Sequence, residues 1–437
     1  MLIALLAAVL VYAGAFLGEF QFDDYNVIVD NPHVHSWAAW QADLGHGIRP
    51  LLKLSYTADW TAGLGAFSFH LTNVVIHLVN IWLVWALARR FVAEQPQLQT
   101  QQRLPLLVAL LFAVHPVHSE AITYISGRSS ALMATFYLAA VLAYAEGRAR
   151  QRRWLLHGAV PLAMLLALAV KETAVTLPLA LLLWEVYGGG TLKSAARRQW
   201  SSWLLLLAVA LFFLGHPAYQ SEMATSADLN SLAGNLATQA VAFGYLMRQW
   251  VLPLWLNIDP DLQVLHGVSE AWLPVLFILL CVVLALVRRH RRPWLGFALA
   301  WALLHLLSLY LLLPRVDVAN ERQLYLAGWP LALGLLAELS LWLQPRALAL
   351  LAGGLLIVLG GLTALRNADY RSEIALWQAT VRLSPGKARV HNNLGYAYMQ
   401  AGRRAAAADE FTAALQLDPQ YHRARFNLQR LEELRQP

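Results

Sequence analysis

Eleven apolar stretches fill most of the first 365 residues of this 437-residue chain. They fall at roughly 2–19, 69–88, 104–117, 130–146, 154–170, 173–187, 201–216, 272–287, 294–313, 325–343 and 347–365. A bilayer is crossed by about 20 apolar residues in helical form, because a helix satisfies its own backbone groups where no water can. Composition agrees: 58% of residues are hydrophobic and 14% charged, against about a quarter charged in an ordinary soluble domain. The expected fold is all-α, a polytopic membrane bundle of about eleven spans followed by a small helical tail.

Residues 154–187 fix the count. They are interrupted near the middle by Lys171-Glu172. As one helix they would run about 51 Å, against a hydrocarbon core of about 30 Å. Basic residues flank both ends, so the run reads as a hairpin with Lys171-Glu172 at its far turn. Arginines and lysines fall in alternate loops: Arg89, Arg90 and Arg103; Arg148, Arg150, Arg152 and Arg153; Lys193, Arg197 and Arg198; Arg288, Arg289, Arg291 and Arg292; Arg346. The positive-inside rule places these in the cytoplasm. The net charge of +7 is therefore largely topological, and no nucleic-acid partner is expected. The N-terminus is expected inside, as a retained first span, and the C-terminus outside. Residues 236–256 read as re-entrant or surface-lying. The single cysteine, Cys281, reads as a small core residue, and the 17 tryptophans mostly as an interfacial belt.

This topology collects acidic and imidazole side chains on the outer side. The first outer loop, 20–68, opens with FDDYNVIVDNPHVH and carries Asp23, Asp24, Asp30, His33, His35, Asp43, His46, Arg49 and Asp59. The second, HPVHSEAITYISGRSS, carries His115, His118, Glu120 and Arg128; a later one, PRVDVANERQLY, carries Arg315, Asp317, Glu321, Arg322 and Tyr325. His70, Asn73, His77 and Asn80 share one face of the second span. Such a face lines a wet cavity or glues helices together. Carboxylates can serve as general bases or hold a metal, and cations suit a phosphate. A phosphate at a membrane surface points to a lipid-phosphate substrate. Simpler readings stand beside these. Asp23-Asp24 could be ordinary helix-end solvation, and Lys171-Glu172 an interfacial turn. His115-Pro-Val-His118 lacks the HExxH arrangement of zinc hydrolases, and hydrogen-bonded loop histidines fit it better than metal ligands.

Beyond Arg366 the composition turns polar. Residues 388–421 carry Leu394, Gly395, Tyr398, Ala407, Phe411, Ala414 and Pro419 at the offsets of a tetratricopeptide repeat. Gly395 is expected to let the two helices pack closely. One full repeat with partial flanking units is short for a free-standing array, so this tail is expected to lean on the membrane domain or on a partner. The expected domains are 1–366 and 367–437.

The order FDD, RPLLKLSY, FHLTNVVIHLVN, HPVHSEAITYISGRSS, KETAV and ANERQLYLAG, followed by the repeat, resembles the transmembrane and tetratricopeptide repeat-containing O-mannosyltransferases of the GT-C glycosyltransferase superfamily. The resemblance covers most of the chain. It implies a polyprenyl-phosphate sugar donor, a protein acceptor that could dock on the tail, and chemistry on the lumenal or periplasmic side. The short tail suggests a bacterial inner membrane. By this resemblance Asp24, or else Asp23, is the general base. Lys171, Arg322, Arg128 and Arg49 are the candidates for holding the lipid phosphate. Glu120, His115, His118, Glu172, His70 and Tyr325 are the candidates for the donor and acceptor pocket. A Mg or Mn ion is compatible with this residue set but not required by it. Other readings are a GT-C enzyme with a lipid or glycan acceptor, a membrane scaffold recruiting partners through its tail, and a transporter. The absence of an inverted repeat weighs against the last.

Overall fold

In a computed structural model of the chain, residues 1–215, 220–221, 231–307, 311 and 317–433 are described; Arg315 lies outside them. Every regular element among these residues is helical. Among the described residues six helices are long and apolar enough to cross a membrane: Ala66–Glu94, Ile125–Ala149, Leu192–Gly215, Val268–Val287, Glu321–Trp342 and Pro345–Asp369. A seventh candidate is the pair Leu104–Val114 and Pro116–Ile122, bent by 55°. The remaining expected spans are shorter or broken. The first splits into Leu2–Val11 and a 3₁₀ segment Ala13–Leu17. The 154–187 run breaks where the sequence requires it: a helix ends at Leu168, Lys171-Glu172 occupies the break, and Leu177–Tyr187 follows. Some of 294–313 falls outside the described residues. Residues 232–251 form one helix, Leu232–Val251.

The bundle has an inner and an outer set. The apolar window of Glu321–Trp342 is 78% buried, while those of Leu192–Gly215 and Val268–Val287 are 11% and 17% buried. Outer helices present Leu, Val, Phe and Trp outward, as a lipid-facing surface requires.

The His/Asn face of Ala66–Glu94 is buried and acts as helix glue. Asn80 Nδ2 donates to Ala131 O (2.9 Å) and to Tyr325 Oη (3.0 Å). His77 Nδ1 lies 2.8 Å from the same Tyr325 oxygen, and His70 Nε2 lies 3.2 Å from Gly18 O. Asn73 Nδ2 donates to Ile122 O (3.0 Å). Separate segments of the chain are thereby stitched to one helix face. Buried polar groups must be paired, so this face sets the register of its neighbours.

Arg128 completes that seam. Its side chain is fully buried and paired with Asp59 at 2.5 Å. Nε donates to Asn73 Oδ1 (2.6 Å), Nη1 to Ser55 O (3.1 Å) and Nη2 to Phe69 O (2.9 Å).

The tail docks on the loops that carry Phe22, Tyr124 and Ile258. Trp377, Tyr370, Leu376, Val390 and Leu394 form one cluster with Tyr124 and Ile258, and Phe22 packs against it. Ion pairs add to this: Asp259 meets Lys387 and Arg389, each at 2.5 Å. Within the repeat, a Cβ on Gly395 would stand 2.7 Å from the Phe411 ring, which explains the glycine. Removing one partner of a buried charge pair strands the other, at a cost of about 3–5 kcal/mol. Arg128→Leu should therefore sharply lower the thermal midpoint of the detergent-solubilised protein, whereas a midpoint equal to that of the unaltered chain would refute the structural role given to Arg128.

Candidate active site

Asp23 and Asp24 follow Phe22, whose φ of 47° is left-handed. That conformation is strained for an aromatic residue and persists only where packing imposes it. Trp377 of the tail supplies the packing, edge-on to the Phe22 ring at 5.0 Å. The turn separates the two carboxylates. Asp24 is turned inward and is 1% exposed. Its Oδ2 accepts the Gln21 N–H (3.0 Å) and its Oδ1 the Ser126 N–H (2.8 Å). Burial pushes its pKa up to about 7, and the two backbone N–H groups oppose that rise. Asp23 is half-buried and opens into a cleft shared with Glu120, Tyr124, Asp317, Arg322 and Arg389. Its own N–H donates to Tyr124 Oη (3.0 Å). Burial raises its pKa, Arg322 lowers it, and Asp317 raises it again.

The HPVHSEAITYISGRSS loop forms the back wall. A Cβ on Gly127 would stand 1.9 Å from Glu120 O, so only glycine permits this turn. Glu120 is buried and holds Arg322 twice: Oε2 accepts the Arg322 backbone N–H (2.9 Å), and Oε1 lies 3.4 Å from its Nε. Arg322 also lines a second cleft with Lys171, Ser130, Thr173, Thr176, Met133 and Leu326. There Lys171 Nζ donates to Ser130 Oγ (2.8 Å). One arginine thus stands between a carboxylate-lined cleft and a cleft that combines cations, hydroxyls and apolar side chains. Both are narrow: the second has a volume of about 40 Å³ and the first of about 10 Å³, on the scale of a few waters and of one.

Other expected residues are placed elsewhere. Arg49 also has a left-handed φ of 56°, and its guanidinium makes a two-point pair with Glu172 at 3.1 and 2.7 Å. Arg128 lines neither cleft. His115 Nε2 lies 3.0 Å from Trp250 O, and His118 Nδ1 lies 2.9 Å from Phe112 O. These two histidines, with His70 and Tyr325, belong to the buried hydrogen-bonded seam. Among the described residues no three His, Cys, Asp or Glu side chains group so that they could hold a metal ion.

Three residues at the cleft were not foreseen as site residues: Asp259, Asp317 and Arg389. Arg389 Nη2 donates to Asp317 Oδ1 (2.7 Å) while the same guanidinium holds Asp259. The tail therefore contributes a side chain to the cleft itself. A lone arginine in a repeat helix carries no local signal of that.

Residues 388–421 match the tetratricopeptide repeat family. A protein O-mannosyl-transferase of Caenorhabditis elegans is 25% identical over 96% of this chain and 63% of its own length. The protein O-mannosyl-transferase TMTC4 of Homo sapiens is 24% identical over 92% of this chain and 64% of its own. Tmtc3 of Drosophila melanogaster is 26% identical over 91% and 52%. The chain thus spans less than two thirds of the length of these relatives. No solved structure matches it. Along most of its length the chain is thus similar, at 24–26% identity, to proteins named protein O-mannosyl-transferases.

Proposed function

We propose that this protein is a membrane glycosyltransferase that moves a sugar from a polyprenyl-phosphate donor to Ser or Thr hydroxyls of a protein. The names of its relatives make mannose the first sugar to test. The observation that carries the reading is Arg322, which faces Asp23 in one cleft and Lys171 in the other. The donor phosphate would lie by Lys171 and Arg322, with its prenyl chain along Met133 and Leu326. The acceptor hydroxyl would lie by Asp23. As its oxygen bonds to the anomeric carbon, the bond from that carbon to phosphate breaks on the opposite face. The transition state is oxocarbenium-like and the product is inverted. Asp23 takes the hydroxyl proton. The two cations hold the charge that builds on the departing phosphate, and preorganised charge of this kind supplies much of an enzyme's rate.

The geometry favours Asp23 over Asp24 as base, since Asp24 is turned inward with both oxygens on backbone N–H groups. Asp24 then acts as the positioning residue that ties the first outer loop to the second. Arg128, and the Arg49–Glu172 pair, support the walls. The outer loops and tail are assigned to the non-cytoplasmic side of a bacterial inner membrane. That assignment has eleven spans, a cytoplasmic N-terminus, a catalytic domain over residues 1–366 and an acceptor-facing tail over 367–437. The convergence of the outer loops at one end of the bundle supports this arrangement.

In a purified assay with polyprenyl-phosphate mannose and a Ser/Thr peptide, Asp23→Asn should lower transfer by about 10²–10⁴-fold. Lys171→Met should lower it by about 10²–10³-fold. Unchanged rates in both variants would remove the assignment. The pH dependence of stability separates the two aspartates further. A folded pKa raised to about 7 means that the folded state holds an extra proton between an ordinary carboxylate pKa and 7. Stability then falls as pH rises from about 4 to about 7, and levels off above. Asp24→Asn should flatten that fall in thermal midpoint; an identical slope in both proteins would contradict the buried setting given to Asp24.

A further inference from the structure

We infer that the phosphodiester head of an anionic phospholipid binds in a basic pocket at the end of the bundle opposite the two clefts. The inference does not depend on the transfer reading. The helix Arg128–Ala149 sets the separation: Ser130 near its start lines the Lys171 cleft, and Arg148 near its end lines the pocket. At 1.5 Å per residue they stand about 27 Å apart, close to the thickness of a bilayer core of about 30 Å.

The pocket has a volume of about 490 Å³, in the range of small-molecule sites. It lies between the turn that follows this helix and the first part of the helix Leu192–Gly215. Two irregularities shape the turn. Gln151 has a left-handed φ of 53°, a conformation that a residue with a long side chain keeps only where its surroundings impose it. Leu155–Ala159 then form a wide π-helical turn, of the kind that often marks functional positions. His157 on that turn meets the opposite wall. Its ring centre lies 5.2 Å from that of Trp200, and its Nδ1 lies 3.0 Å from Ser201 Oγ.

Among the described residues, Arg148, Arg153, Arg197 and Arg198 line the pocket and no carboxylate does. The four arginines are not equivalent. Arg148 and Arg198 are half-buried and share the buried Glu185, at 3.7 and 2.5 Å. Arg148 also meets Glu94 at 3.4 Å. These pairs hold the two inner guanidiniums in place. Arg153 and Arg197 are exposed, and neither makes an ion pair among the described residues. Their charge is the surplus that an anion would neutralise. Arginine suits a phosphate because its planar fork donates to two oxygens at once.

The neighbouring surface makes that anion a lipid. Trp200, Leu204, Leu207 and Leu211 stand at i, i+4, i+7 and i+11 of Leu192–Gly215 and share one face. All four are exposed. A head group held by the arginines therefore has its acyl chains on a continuous apolar strip, with Trp200 at the level where tryptophan favours the membrane interface. A soluble phosphate or nucleotide would leave that strip unused. Basic pockets beside spanning helices are a setting in which lipid phosphates are held.

The test is native mass spectrometry of the detergent-purified full chain, with phosphatidylglycerol and phosphatidylcholine added in equal amounts. The unaltered protein should retain phosphatidylglycerol in preference by about tenfold or more. Arg197→Gln should lower that preference about fivefold, and Arg153→Gln combined with Arg197→Gln should bring it near parity. Both residues are exposed, so the thermal midpoints of these variants without lipid should match that of the unaltered chain. Arg289→Gln combined with Arg291→Gln removes the same charge from another exposed basic segment and should leave the preference intact. No preference in the unaltered protein would overturn the proposal. Equal loss in both double variants would do so too, by showing diffuse charge in place of a pocket. Displacement of bound phosphatidylglycerol by millimolar inorganic phosphate or a nucleotide would mark a soluble-anion site and overturn it as well.

Discussion

A half-buried arginine beside a buried glutamate needs that partner, and the site is organised around the pair. Arg322 is held by Glu120 through both its backbone and its side chain. Glu120 can be there only because the turn closes on Gly127, where no Cβ fits. Next to it Glu321 is paired with Arg366 at 3.3 Å. Two adjacent residues of one loop thus anchor to the second outer loop and to the last long helix. Unpairing any of these groups would strand a charge in low dielectric. The bundle end is consequently a rigid frame, and the two clefts are openings in that frame.

The tail belongs to the same frame. Trp377 packs on the strained Phe22, and Lys387 and Arg389 hold Asp259. Holding a non-glycine residue at left-handed φ costs on the order of 1–3 kcal/mol, and the tail's packing offsets it. Asp23 is thereby aimed at the cleft by residues more than three hundred positions away in sequence. This gives the tail two roles, as the source of Arg389 in the cleft and as the clamp on the loop that carries the carboxylates.

Much of this was legible in the sequence, and the features that were not share a cause. The 154–187 break, the polar face from His70 to Asn80 and the repeat at 388–421 all follow from period, length and charge along the chain, which are local quantities. The span count was harder. Segments such as Leu2–Leu17 change helix type within the apolar run, and composition cannot see that. Residue roles at the site were harder still. Arg128 looked like a phosphate ligand, yet its partners come from Ser55, Asp59, Phe69 and Asn73. Arg49 and Glu172, sorted into different roles, are partners of each other. Adjacent Asp23 and Asp24 differ in burial because of one backbone angle at Phe22. Each of these depends on which distant loops meet, and a single sequence does not encode that locally.

The most direct test of the central claim is site-resolved glycoproteomics of the host's membrane and secreted proteins. It would compare the unaltered gene with Asp23→Asn at matched membrane abundance. A hexose that disappears from Ser or Thr of a defined set of proteins in the Asp23→Asn strain is the result this account expects, and it would identify the sugar and the acceptors together. Persistence of every glycopeptide would contradict it.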